Sequence, residues 1–120
     1  MSLDVEEDSK LRESVFLSVL SGFFDTAKSG LKRRDLGIIQ GALRTVYNGM
    51  GELVYGSEYL SPARKELLEK FGNCVSRIRD DILKAENRNL TEVVGSHNIY
   101  GRIESAKAAL NRYINYWYNS

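Results

Sequence analysis

Proline is almost missing from this 120-residue chain, and Pro62 is its sole example. It follows Ser61, a good N-cap, and proline is tolerated in the first helical turn, so the pair marks a helix start at the midpoint and divides the chain into two helical halves. Cysteine is as scarce. Cys74 alone excludes an intrachain disulfide and a cysteine-rich metal site, which fits a reducing compartment. With His97 as the single histidine, a histidine-pair metal site and a histidine-rich catalytic array have no material. No apolar run nears the roughly 20 residues of a membrane span, and the acidic N-terminus lacks the basic and apolar regions of a secretory signal. The expectation is a cytoplasmic protein that does not enter a membrane.

What is present is ordinary globular material, 42% apolar and 28% charged, enough for one domain of 13.6 kDa with a real core. The net charge of +1 conceals an asymmetry, because Asp4, Glu6, Glu7 and Asp8 make residues 1–8 acidic and leave the rest mildly basic. Residues 1–8 therefore read as a flexible acidic N-terminus, and residues 9–120 as a single helical domain.

Helical periodicity runs through that domain. Phe16, Leu20, Phe23, Phe24, Ala27 and Leu31 share one face of a helix over residues 9–33. Leu11, Val15, Leu17 and Val19 widen this face beyond the usual stripe, so the helix is either packed on both sides within the monomer or covered along one edge by a partner. Asp8 or Ser9 suits its start, and Ser29-Gly30 weakens its end. A second helix from an Asp35 cap carries Leu36, Ile39, Leu43, Val46, Tyr47, Met50 and Val54 on one side. Its four glycines, at positions 37, 41, 49 and 51, lower its intrinsic stability by up to about 1 kcal/mol each relative to alanine, so it depends on packing.

From Ser61 to about Ala85 a third helix buries Leu67, Leu68, Phe71, Cys74, Val75, Ile78 and Ile82, with Glu66/Lys70, Arg77/Asp81 and Asp80/Lys84 as exposed pairs. Beyond the turn at 86–89, Leu90, Val93, Val94 and His97 form one stripe. Ile99, Ile103, Ala106, Leu110, Tyr113, Ile114 and Trp117 form another, nearly opposite when both are drawn on one straight helix. The mismatch predicts a break between Gly95 and Gly101. The fold expected is all-α: an antiparallel four-helix bundle of two helical hairpins, its last helix broken near residues 95–101 to give a fifth.

Chemistry is sparse by comparison. Ser29-Gly30-Leu31-Lys32 matches a bare Ser-x-x-Lys pattern without the companion motifs that acylating enzymes need. Gly49-Met50-Gly51 follows no strand, so it is no dinucleotide loop. Asp80 and Asp81 are adjacent on a helix and diverge by about 100°, and no inward Glu-x-x-His unit is present. No catalytic, cofactor-binding or metal-ligating residue is nominated, and no cofactor is expected.

Three surfaces remain. The aromatic C-terminus offers Tyr113, Tyr116, Trp117 and Tyr118, more rings than one buried face accepts, and aromatics carry a disproportionate share of interface energy. Tyr55 and Tyr59, with Tyr47, lie near the central loop, and an up-down order brings them to the same end. The third surface is basic: Lys28, Lys32, Arg33, Arg34 and Arg44 gather at the first hairpin turn, where they either contact phosphate or complement a helix C-terminus. The reading is a non-enzymatic protein–protein interaction module of adaptor, chaperone-like or assembly type. It binds another polypeptide or itself, most simply as a homodimer. The alternative is a nucleic-acid-binding helical protein that uses the basic turn at residues 28–34.

Overall fold

The computed structural model describes residues 2–56, 60–86 and 89–118, all helical apart from short turns and caps. Five α-helices follow one another: α1 Ser2–Arg33, α2 Leu36–Gly56, α3 Pro62–Leu83, α4 Leu90–Ser96 and α5 Ile99–Tyr118, with a 3₁₀ turn at Lys84–Glu86 after α3. α1 packs on α2 and α5, and α3 packs on the same two, so the four long helices close into an antiparallel ring, with the short α4 at the α3–α5 turn. The expected four-helix bundle with a fifth helical piece is what the chain forms. Its core is continuous, from Leu17, Leu20 and Phe24 through Leu43, Val46 and Met50 to Leu68, Ile78, Ile103 and Leu110.

Local chemistry accounts for each turn. Arg34 takes a left-handed conformation with φ 55°, its N–H reaches the Leu31 carbonyl, and the Asp35 N–H reaches Gly30 at 2.9 Å, which closes the C-terminus of α1. Asp35 then caps α2 by accepting the Ile38 N–H at 3.1 Å. Ser61 caps α3 with Pro62 in its first turn, and Asn89 caps α4 by accepting from Thr91 at 2.8 Å. Between α4 and α5 the break falls where the two stripes disagree. No glycine makes it, since Asn98 itself adopts φ 47°, a region asparagine enters more readily than other side chains.

Two features of α1 differ from the sequence expectation. It starts at Ser2, not near Ser9, so the residues expected to precede the helix form its first turns. It also runs through Ser29-Gly30 to Arg33, because Gly30 serves contact with α2: a Cβ there would lie 2.8 Å from an Ile39 side-chain carbon. Gly49 does likewise on α2, with Leu20 at 2.7 Å, whereas Gly41 faces open space. At 1.5 Å per residue α1 is about 48 Å long, and the molecule measures 55 × 20 × 19 Å. Leu20 packs over Gly49, and Glu13 accepts a hydrogen bond from Tyr118, so the ends of α2 and α5 stand level with Glu13. The turn before Glu13 still meets α2, since Ser9 and Arg12 line a pocket with Glu52, Leu53 and Gly56.

Candidate partner-binding groove

α3 and α5 meet less closely than α1 and α2, and the seam between them is an open groove of about 750 Å³. One wall carries Leu67, Phe71 and Cys74 and the other Ala109, Tyr113 and Tyr116, both at the i, i+4, i+7 spacing of a single helix face, with Trp117 at the end. Ser105 and Ala109, four residues apart along α5, are small and keep the seam from filling, whereas the Asn98 side chain packs over Gly101. Leu67 is 46% exposed and Cys74 is exposed, so the third helix buries fewer apolar residues than its periodicity predicts. The stripe is wider than α2 and α5 together cover. Lys70, Arg102 and Arg112 are the only charged residues lining the groove.

The aromatic end of this groove rests on a buried polar cluster. Arg64 and Glu13 are both buried, and their side chains meet at 3.2 Å between α3 and α1. The Tyr118 hydroxyl donates to the same Glu13 oxygen at 2.8 Å and accepts from Arg64, whose Nε also donates to the Tyr113 hydroxyl at 3.4 Å. The guanidinium lies 4.8 Å from the Tyr118 ring centre and 5.3 Å from that of Trp117. Burial alone would lower the Arg64 pKa, but the Tyr113 hydrogen bond and the neighbouring Tyr118 and Glu13 reverse this and hold it above its ordinary value. Burial and the bond to Glu13 raise the Tyr118 phenol, which stays protonated. The charge is thus fixed, paired and wrapped in rings. Glu13 and Arg64 occupy the positions that Leu17 and Leu68 occupy one turn later, so a charge in the apolar register of each helix was the signal for them.

Farther along, α5 is fastened by polar pairs. Ser21 donates to Asn111 at 2.8 Å, Lys107 meets Asp25 at 2.7 Å, and Lys28 meets Glu104 at 3.5 Å, three steps of an antiparallel α1–α5 ladder. On the α3 side Arg102 pairs with Asp81 at 2.7 Å. That hydrogen bond, with another from Lys84, holds the Asp81 carboxyl below its ordinary value, and Lys107 does the same for Asp25.

The nominated residues are distributed among these features. Tyr113, Tyr116 and Trp117 line the groove, and Tyr118 belongs to the buried cluster. Tyr55 stands at the same end but lines a separate α2–α3 cleft with Tyr47, on the other flank of α3. Tyr59 falls outside the described residues. Lys32, Arg33 and Arg34 are exposed at the α1–α2 turn and Arg44 is exposed on α2, whereas Lys28 is engaged by Asp25 and Glu104 and lies over the Tyr100 ring. His97 forms the C-cap of α4. Among the described residues no cluster of histidine, cysteine, aspartate or glutamate is arranged to hold a metal ion, and no helix is long and apolar enough to cross a membrane.

Fold and groove together define a small antiparallel helical bundle with an open seam between α3 and α5. Against protein-family models, curated proteins and solved structures, the chain finds no significant match in any of the three comparisons.

Proposed function

We propose that the protein is a non-enzymatic interaction module that self-associates through the outward face of α1. One observation carries this reading: Leu11, Val15 and Val19, each four residues from the next, are 63%, 55% and 56% exposed on the side of α1 that faces away from the core. The excess apolar width of the first helix is therefore uncovered within the monomer. Four-residue spacing makes a single ridge, and two such ridges interdigitate across a two-fold axis at a crossing angle near −50°. In an antiparallel pairing centred on Val15, Leu11 meets Val19 of the second copy. Gly22, on the same face with open space around it, permits close approach.

Asp8 and Arg12, paired at 3.0 Å beside the ridge, carry opposite charges, so this face suits an identical neighbour better than a strongly charged one. The basic turn supports nucleic-acid binding less, because Lys28 is already satisfied within the bundle.

Sedimentation equilibrium tests the proposal. The wild type is expected at twice 13.6 kDa, and Val15→Glu is expected to weaken association at least about tenfold by burying an unpaired charge, with unchanged helical circular dichroism. A wild type that stays monomeric throughout the concentration series, or an oligomer indifferent to Val15→Glu, overturns it.

A further inference from the structure

The α3–α5 groove lies on a different face from the α1 ridge, and its chemistry specifies a different occupant. We infer that it binds an amphipathic helix of another polypeptide, apolar along one face and acidic along its flanks. Both walls present side chains at i, i+4, i+7, with Leu67, Phe71 and Cys74 facing Ala109, Tyr113 and Tyr116, so the seam already has the geometry that seats a third helix. Lining residues from Asn98 to Trp117 span about 28 Å of α5 at 1.5 Å per residue, the length of about five helical turns. Ser105 and Ala109 are short enough to leave room for large apolar side chains.

The charges choose among amphipathic helices. Lys70, Arg102 and Arg112 line the groove with no carboxylate among them. Arg102 is committed to Asp81, Lys70 holds only the exposed Glu66, and Arg112 has no carboxylate partner among the described residues. A helix with glutamate or aspartate beside its apolar stripe satisfies Arg112 and Lys70, while a basic one is repelled. At the aromatic end Tyr116, 70% exposed, and Trp117 supply rings for an apolar anchor.

The chain carries its own two reporters, since Cys74 and Trp117 are its only cysteine and tryptophan and both line the groove. The probe is a capped 18-residue peptide with leucine at i, i+4 and i+7 positions, glutamate on the flanks and alanine elsewhere. Its counterpart carries lysine for glutamate. The acidic peptide is expected to shift Trp117 emission saturably and to slow maleimide alkylation of Cys74 at least about tenfold, the basic one to do neither. Exchanging Lys70 and Arg112 for glutamate is expected to invert that preference, and Leu67→Glu, at an exposed position, to abolish binding. Equal protection by both peptides, or none by the acidic one, overturns the inference. Protection by decanoate at the concentration where the peptide acts reassigns the groove to small amphiphiles and overturns it equally. Val15→Glu leaves these readouts unchanged, which separates this result from the fate of the self-association reading.

Discussion

The α1–α2 seam and the α3–α5 seam join helices in the same antiparallel bundle, yet they are held by different forces. At α1–α2, Gly30 lies under Ile39 and Gly49 under Leu20, so the backbones approach closely and shape complementarity holds the pair. At α3–α5 the small residues of α5 face a gap, and the helix is secured instead by Arg64 with Tyr113 and Tyr118 at one end and by Arg102 with Asp81 at the other. A seam sealed by packing has no room for a ligand. A seam closed only at its ends by polar clasps leaves its middle free, and that is where the groove runs.

The largest effect expected from this contrast follows loss of the aromatic-end clasp. Arg64→Ala leaves Glu13 buried without its cation, and breaking a buried pair on one side costs about 3–5 kcal/mol. That is a large share of the roughly 5–15 kcal/mol that keeps such a domain folded. Chemical denaturation is expected to show this loss, and the triple change Glu13→Leu, Arg64→Met, Tyr118→Phe to regain most of it by replacing the whole network with apolar contact. A cost under about 1 kcal/mol for Arg64→Ala would break the comparison, because packing would then hold both seams.

A steric exchange between the seams comes next. Gly49→Val drives a side chain into Leu20, which is buried and has nowhere to move, and is expected to cost about 1–3 kcal/mol. Ser105→Leu adds more volume to the open seam and is expected to change stability by less than about 0.5 kcal/mol. The same leucine occupies part of the groove, so the variant is expected to remain folded and lose the acidic peptide.

Much of this contrast stood in the sequence, though unevenly. The four long helices, the Asp35, Ser61 and Asn89 caps and the break before Ile99 were legible because periodicity and capping are local. The agent of the break was not, since two glycines flank Asn98 and either could have taken the left-handed turn that the asparagine takes. The groove was hidden for a related reason. Leu67 and Cys74 sit on the apolar stripe of α3, and a stripe's width does not say which flank a neighbour covers. Glu13 and Arg64 stand in the apolar registers of their helices, but only a structure shows that two charges 51 residues apart meet there. Tyr118 lies off the apolar stripe and reads as a half-exposed aromatic until Arg64 is seen to draw it inward.

The smallest effect concerns the second clasp and depends on pH. Arg102 and Lys84 stabilise the charged form of Asp81, so its carboxyl titrates below its ordinary value of 3.8 in the folded chain and near that value when unfolded. A depressed folded pKa means that the unfolded chain binds the proton first as pH falls. The clasp therefore contributes fully above the unfolded value and is lost as pH drops through the folded one. At pH 7 Asp81→Asn is expected to cost about 0.5–1 kcal/mol, the range for a partly exposed pair, and the gap between wild type and variant is expected to close as pH falls below the ordinary carboxylate value and through the lower folded one. Equal stability of the two proteins at pH 7 would leave the aromatic-end cluster as the clasp that holds α5 to α3, and opening of the groove would then begin at Asn98 rather than at Trp117.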